Sequence, residues 1–117
     1  MAPENSLNIE TEVVEGAVIV RPHGDVDLAS SPELRAAMHE AVAKEAPKTI
    51  IDLCDVSYMD SSGVATLVEA LQNTRRAGGA LILCGMNDRV RSIFQIARLD
   101  AIFTIMTDLA EATGSSD

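Results

Sequence analysis

At 117 residues the chain fits one domain, and 47% hydrophobic with 23% charged residues is the balance of a globular protein, so disordered, collagen-like and low-complexity classes are excluded. Eighteen acids against nine bases give a net charge of −9, which repels phosphate backbones and anionic lipid and argues against nucleic acid or a membrane surface as partner. Two Phe, one Tyr and no Trp suit helices packed on a sheet better than stacking on bases or sugars.

Met1 to Leu7 lacks a basic region followed by an apolar one, and no apolar run is long enough to span a bilayer, so a cytoplasmic location is expected. Leu7 to Val14 alternates polar and apolar residues, and Ala17 to Arg21 is apolar and β-branched. Glu15-Gly16 between them predicts an antiparallel hairpin, with Pro22-His23-Gly24 ending its second strand. Asp25-Val26-Asp27-Leu28 reads as a loop. Ser30-Ser31-Pro32-Glu33 then reads as a helix start: a serine cap, proline at the first helical position and an acid in the first turn. Leu34, Met38, Ala41 and Val42 recur at helical spacing to about Glu45, and Pro47 stops the run.

Thr49 to Leu53 predicts a strand buried on both faces. After Asp55 to Gly63, Val64, Leu67, Val68 and Leu71 form one apolar helical stripe, closed by Arg75 and Arg76 and by Gly78-Gly79. Ala80 to Cys84 predicts another buried strand, and Val90, Ile93, Phe94 and Ala97 a third helix with Arg89, Arg91 and Arg98 off its stripe. Ala101 to Met106 predicts a short last strand, with one helical turn over Asp108 to Thr113. The order is β-β-α-β-α-β-α-β, one α/β domain over residues 1–117 with a core over about 7–112. Its sheet is mixed and mostly parallel, joined by right-handed crossovers. Cys54 and Cys84 have no CxxC spacing and read as small buried hydrophobes.

The segment Met59-Asp60-Ser61-Ser62-Gly63 joins a strand to a helix N-terminus, where free N–H groups and the helix dipole favour negative charge. Either serine can simply cap that helix. Alternatively, one hydroxyl there accepts a phosphate that the fold tolerates. A nucleophile elbow is excluded, because Asp60 replaces the glycine before the serine pair and the two histidines, His23 at a strand end and His39 in a helix, read as exposed. A metal is conceivable only through carboxylates such as Asp25, Asp27 and Asp60, with no geometry fixed by the sequence. No glycine-rich phosphate loop occurs. A response-regulator receiver needs a lysine after its last strand, and Lys44 and Lys48 are the only lysines.

These residues resemble a known family. Ile50 to Leu53, Val56 to Gly63, Gly78-Gly79 with the strand after it, Gly24 to Asp27 and Val90 to Leu99 are together similar to the STAS domain of bacterial anti-sigma factor antagonists, over about residues 7–112. The resemblance implies a STAS-like fold and a regulator rather than an enzyme. In that family the unphosphorylated domain binds an anti-sigma factor serine kinase and so frees a sigma factor. The kinase phosphorylates the serine after the motif's Asp, and a metal-dependent serine phosphatase reverses the step. Carried over, Ser61 is the acceptor, Asp60 lies beside it, Ser62 is the helix cap, Gly63 completes the motif, and Asp25 and Asp27 match the neighbouring acidic turn. Val64-Ala65 stands where Leu-Gly is common. The resemblance implies no cofactor or metal in this chain. A rival expectation within the fold is an accessory STAS subunit of a transporter or stressosome-like assembly, with no phosphate cycle.

Overall fold

The structure is a computed structural model that describes residues 7–114. Its elements are β1 (Asn8–Val14), β2 (Ala17–His23), α1 (Ser31–Ala43), β3 (Lys48–Asp52), α2 (Ser61–Arg76), β4 (Ala80–Cys84), α3 (Asp88–Ile96), β5 (Thr104–Met106) and α4 (Leu109–Thr113), with a 3-10 turn at Leu99–Ala101 before β5. The five strands lie side by side in chain order. β1 and β2 are antiparallel, turning at Gly16, and each later neighbour is parallel. This is the single α/β domain with an N-terminal hairpin that the hydrophobic pattern implies.

Strand order follows chain order without reversal, so right-handed crossovers carry their helices to the same side of the sheet. That side holds the larger core. Val18, Val20, Ile51, Leu53, Leu81 and Leu83 meet Leu34 and Met38 of α1, Leu67 and Leu71 of α2, and Val90 and Phe94 of α3. The alternate strand residues Ala17, Ile19, Ile50, Ile82 and Cys84 form a smaller core on the other side with Ala112 of α4. β3 and β4 thus bury side chains to both faces, which is why they read as unbroken apolar runs. Lys48 Nζ donates to the carbonyls of Ala112 and Thr113 (3.3 Å each), fastening α4 by the carbonyls its short helix leaves free.

Four boundaries differ from the sequence expectation. β2 continues through Pro22 and His23, because the parallel register with β3 ends at Val20 and no neighbour there needs the missing proline N–H. The Ser30 side chain does not cap α1, and Pro32 is its second residue. Ser30 Oγ turns back to the Asp25 carbonyl and the Asp27 carboxylate instead. α3 ends at Ile96, with Ala97 exposed and Arg98 in the left-handed region (φ 61°), so Leu99 begins a separate turn. β5 starts at Thr104 rather than Ala101, since the preceding residues form that 3-10 turn and seat Phe103 edge-on to Phe94, ring centroids 5.4 Å apart.

Cys84 is buried as expected, but Cys54 is exposed just beyond the end of β3. Its N–H is held by Asp52 Oδ1 at 3.1 Å. Asp52 itself is buried and paired with Arg21 (3.2 Å). Burial first, then the Asp52 carboxylate, pushes the Cys84 thiol up to about 12.

Candidate functional site

Three loops meet at the carboxyl ends of β2, β3 and β4, the edge of a parallel sheet where α/β domains place their sites. The β2–α1 loop lies along the β3–α2 loop as an extra rung. Val26 and Met59 form an isolated parallel bridge, with Val26 N–H donating to the Tyr58 carbonyl (2.9 Å) and Asp60 N–H to the Val26 carbonyl (3.0 Å). Both side chains of the bridge are fully buried. Asn87, the cap of α3, joins the third loop to the second through Nδ2 to the Val56 carbonyl (3.2 Å). Gly24 N–H to the Asp55 carbonyl (3.0 Å) closes the near end.

This frame delivers the chain to α2, and the cap there is Asp60 rather than Ser62. Asp60 has extended backbone, and its Oδ1 accepts from Ser62 N–H (2.9 Å), Gly63 N–H (3.3 Å) and the Ser62 hydroxyl. Its Oδ2 accepts from Leu28 N–H (3.2 Å). One carboxylate therefore caps α2 and ties down the β2–α1 loop, a double duty that a serine hydroxyl cannot perform. These donors, the Ser62 hydroxyl foremost, hold the Asp60 carboxyl below the ordinary carboxylate range, against partial burial that pushes it up.

The cap duty being taken, Ser61 stands at the first helical position, exposed, its hydroxyl engaged by no partner among the described residues. Ser62 is half-buried under the Asp60 carboxylate. Gly63 is buried for a steric reason: a Cβ there would lie 2.6 Å from Met59 Cγ and 2.8 Å from Val26 Cγ1. Its absent side chain lets the first turn of α2 sit directly on the Val26–Met59 bridge.

The acidic turn has two parts. Asp25 is exposed, and its Oδ1 accepts from the Ser57 hydroxyl (3.3 Å). Asp27 turns inward, its Oδ1 accepting from Ala29 N–H (3.1 Å), Ser30 N–H (3.0 Å) and Ser30 Oγ (3.1 Å). The structure brings Asp25, Asp27 and Asp60 to the same end of the sheet as Ser61, with Asp27 mainly shaping the turn. Among the described residues no cluster of three or more His, Cys, Asp or Glu side chains is arranged to hold a metal ion. No helix there is long and apolar enough to cross a membrane.

Three features escaped the sequence reading. His23 is half-buried, not exposed, and its two ring nitrogens face Glu10 of β1 and Asp55 of the β3–α2 loop. Leu28 and Tyr58, in the loops around Ser61, are exposed at 77% and 41%. The buried stripe of α2 is Gly63, Thr66, Leu67, Ala70, Leu71 and Thr74, rotated from the apolar pattern. Thr66 and Thr74 are buried because each hydroxyl donates to a carbonyl one turn back.

Comparison with known proteins adds the following. The family model described as STAS domain matches residues 8–112. The anti-sigma-B factor antagonist of Listeria monocytogenes is 31% identical over 113 residues, covering 94% of this chain and 99% of that one. The crystal structure of an anti-sigma factor antagonist from Mycobacterium paratuberculosis superposes with a TM-score of 0.87 at 23% identity, over 98% of this chain and 97% of that chain. The Bacillus cell fate determinant SpoIIAA in its phosphorylated form superposes with a TM-score of 0.69 at 25% identity, over 95% and 99% of the two chains.

Proposed function

The chain belongs to the STAS domain family, among the anti-sigma factor antagonists, which are non-enzymatic regulators, and from that premise we propose a phosphate-controlled partner switch centred on Ser61. In its unphosphorylated form the protein binds an anti-sigma factor serine kinase and thereby releases a sigma factor. Phosphorylation of Ser61 ends that binding, and a metal-dependent serine phosphatase restores it. The cycle takes place in the cytoplasm and involves neither nucleic acid nor membrane on this chain's side.

The observation that carries the proposal is the division of labour at the start of α2. Asp60 caps the helix through Ser62 and Gly63, so Ser61 holds nothing in place. A phosphate on Ser61 leaves the cap bonds intact, and the helix dipole favours it. The same arrangement leaves that phosphate poorly neutralised, because the Asp60 carboxylate already occupies the Ser62 and Gly63 N–H groups. An added charge of about −1.5 to −2 therefore faces outward beside Asp60 and Asp25. Burying that charge under a docked partner strips its hydration, a cost of about 2 kcal/mol or more, on the order of thirtyfold in affinity. That the phosphorylated form of SpoIIAA adopts a related fold supports a phosphate effect read at the surface.

Incubation with an anti-sigma factor kinase, ATP and Mg²⁺, followed by mass mapping, tests the assignment. One phosphate on Ser61 is expected, and none on the Ser61→Ala variant, which still binds the kinase but is not released by ATP. Phosphate gained by Ser61→Ala at the wild-type yield contradicts it.

A further inference from the structure

Five large apolar side chains are exposed among the described residues: Val13, Leu28, Tyr58, Ile96 and Ile102. A single exposed leucine is ordinary. Leu28 and Tyr58 differ in being fixed to one frame beside the acceptor serine. Leu28 N–H is held by Asp60 Oδ2, and the Tyr58 carbonyl accepts from Val26 N–H, so the two backbones flank the Val26–Met59 bridge. Met59 points inward with no exposure, and strand alternation turns its neighbour Tyr58 outward. The backbone that presents these side chains is already ordered, so binding orders only the side chains themselves.

Resting on the phosphorylation reading above, we propose that Leu28 and Tyr58 form the apolar anchor by which the partner kinase grips this chain, seated in an apolar depression bordered by arginine or lysine. A kinase that phosphorylates Ser61 must cover the surface around it. A standard interface takes about 800 Å² from each partner, a disc roughly 16 Å in radius. Tyr58 is three residues from Ser61, at most about 11 Å between Cα atoms. Leu28 is hydrogen-bonded to the residue before Ser61. Both fall well inside the disc, where aromatic residues are enriched and charge is depleted. Asp25 and Asp60 supply the acidic surroundings that steer a basic partner surface onto the anchor. Phosphate on Ser61 then acts at the interface core, where it resists desolvation.

The test titrates the full chain against purified anti-sigma factor kinases of its own genome, one by one, and carries forward the kinase that binds the unmodified protein. Leu28→Ser and Tyr58→Ser are each expected to weaken binding by about thirtyfold or more. Leu28→Met, which keeps the apolar bulk, stays within about threefold. Ile96→Ser, as exposed as Leu28 but at the other end of α3, leaves binding unchanged. Unaltered melting temperatures establish that the variants fold. Wild-type affinity in both serine variants, with Ser61→Asp still unable to bind, overturns the anchor and leaves the phosphate switch standing. If no anti-sigma factor kinase binds the unmodified chain, the switch falls and the anchor with it.

Discussion

Asp60 joins the two loops of the site through four hydrogen bonds on one carboxylate. Asp60→Ala removes them all and is expected to cost about 1–2 kcal/mol at neutral pH, the range of a lost helix cap, read from urea denaturation. Asp60→Asn keeps an accepting oxygen and isolates the charge. The Asp60 carboxyl lies below its unfolded value, so the charged cap stabilises fully above the ordinary carboxylate range and is lost as pH falls through the lowered value. The stability gap between wild type and Asp60→Asn should therefore narrow from neutral pH to about pH 3. A gap that stays constant or widens contradicts the charged cap. At Cys84 the raised thiol and complete burial predict negligible alkylation by iodoacetamide at neutral pH in the native state, and rapid alkylation in denaturant. That Asp60-Ser61-Ser62-Gly63 opens a helix was legible in the residues alone, whereas Ser61 as the acceptor and Asp25 and Asp27 as its neighbouring turn came from the family resemblance. Which residue caps α2 was not, since serine and aspartate are both strong caps and the choice depends on a reach to Leu28, 32 positions away.

Among the elements, α2 is placed by Gly63 and the bridge beneath it. Alanine raises helix propensity by up to about 1 kcal/mol. Its Cβ would collide with Val26, a stiff β-branched residue in a fully buried site, and with the middle of the Met59 side chain. Overpacking costs about 1–3 kcal/mol, so the clash wins and Gly63→Ala should be net destabilising by chemical denaturation. Because the displaced turn carries Ser61, the proposed phosphorylation there should slow as well. A Gly63→Ala protein more stable than wild type contradicts this packing. β1, β3, β4 and the spans of the first two helices follow from local pattern, because burial decides where their apolar residues recur. The end of α3 does not, since Ala97 continues the helical spacing while Arg98 takes a left-handed conformation and starts a new turn. The α2 stripe misled for another reason: Thr66 and Thr74 read as polar, yet their hydroxyls are satisfied within the helix.

Over the whole molecule, strand order in chain sequence puts the crossover helices on one side, and the carboxyl ends of β2, β3 and β4 all open toward Ser61. The acids that precede α2 are put to distinct uses. Asp52 is buried with Arg21, Asp27 shapes a turn, Asp60 caps a helix, and Asp25 faces outward. Removing the Arg21 side chain leaves Asp52 buried and uncompensated. Arg21→Ala should therefore destabilise the domain by about 1–3 kcal/mol, less than a fully buried pair because Arg21 is partly exposed. The fold needs nothing from the Ser61 hydroxyl, so modification should change binding and not stability. The most direct measurement compares the unmodified chain with the chain phosphorylated at Ser61, in melting temperature and in affinity for the proposed anti-sigma factor kinase. The prediction is a melting temperature within about 2 °C and an affinity lowered at least thirtyfold, on the order of the loss expected from one desolvated charge. Equal affinity of the two forms, or a loss of binding that merely follows unfolding, would contradict it.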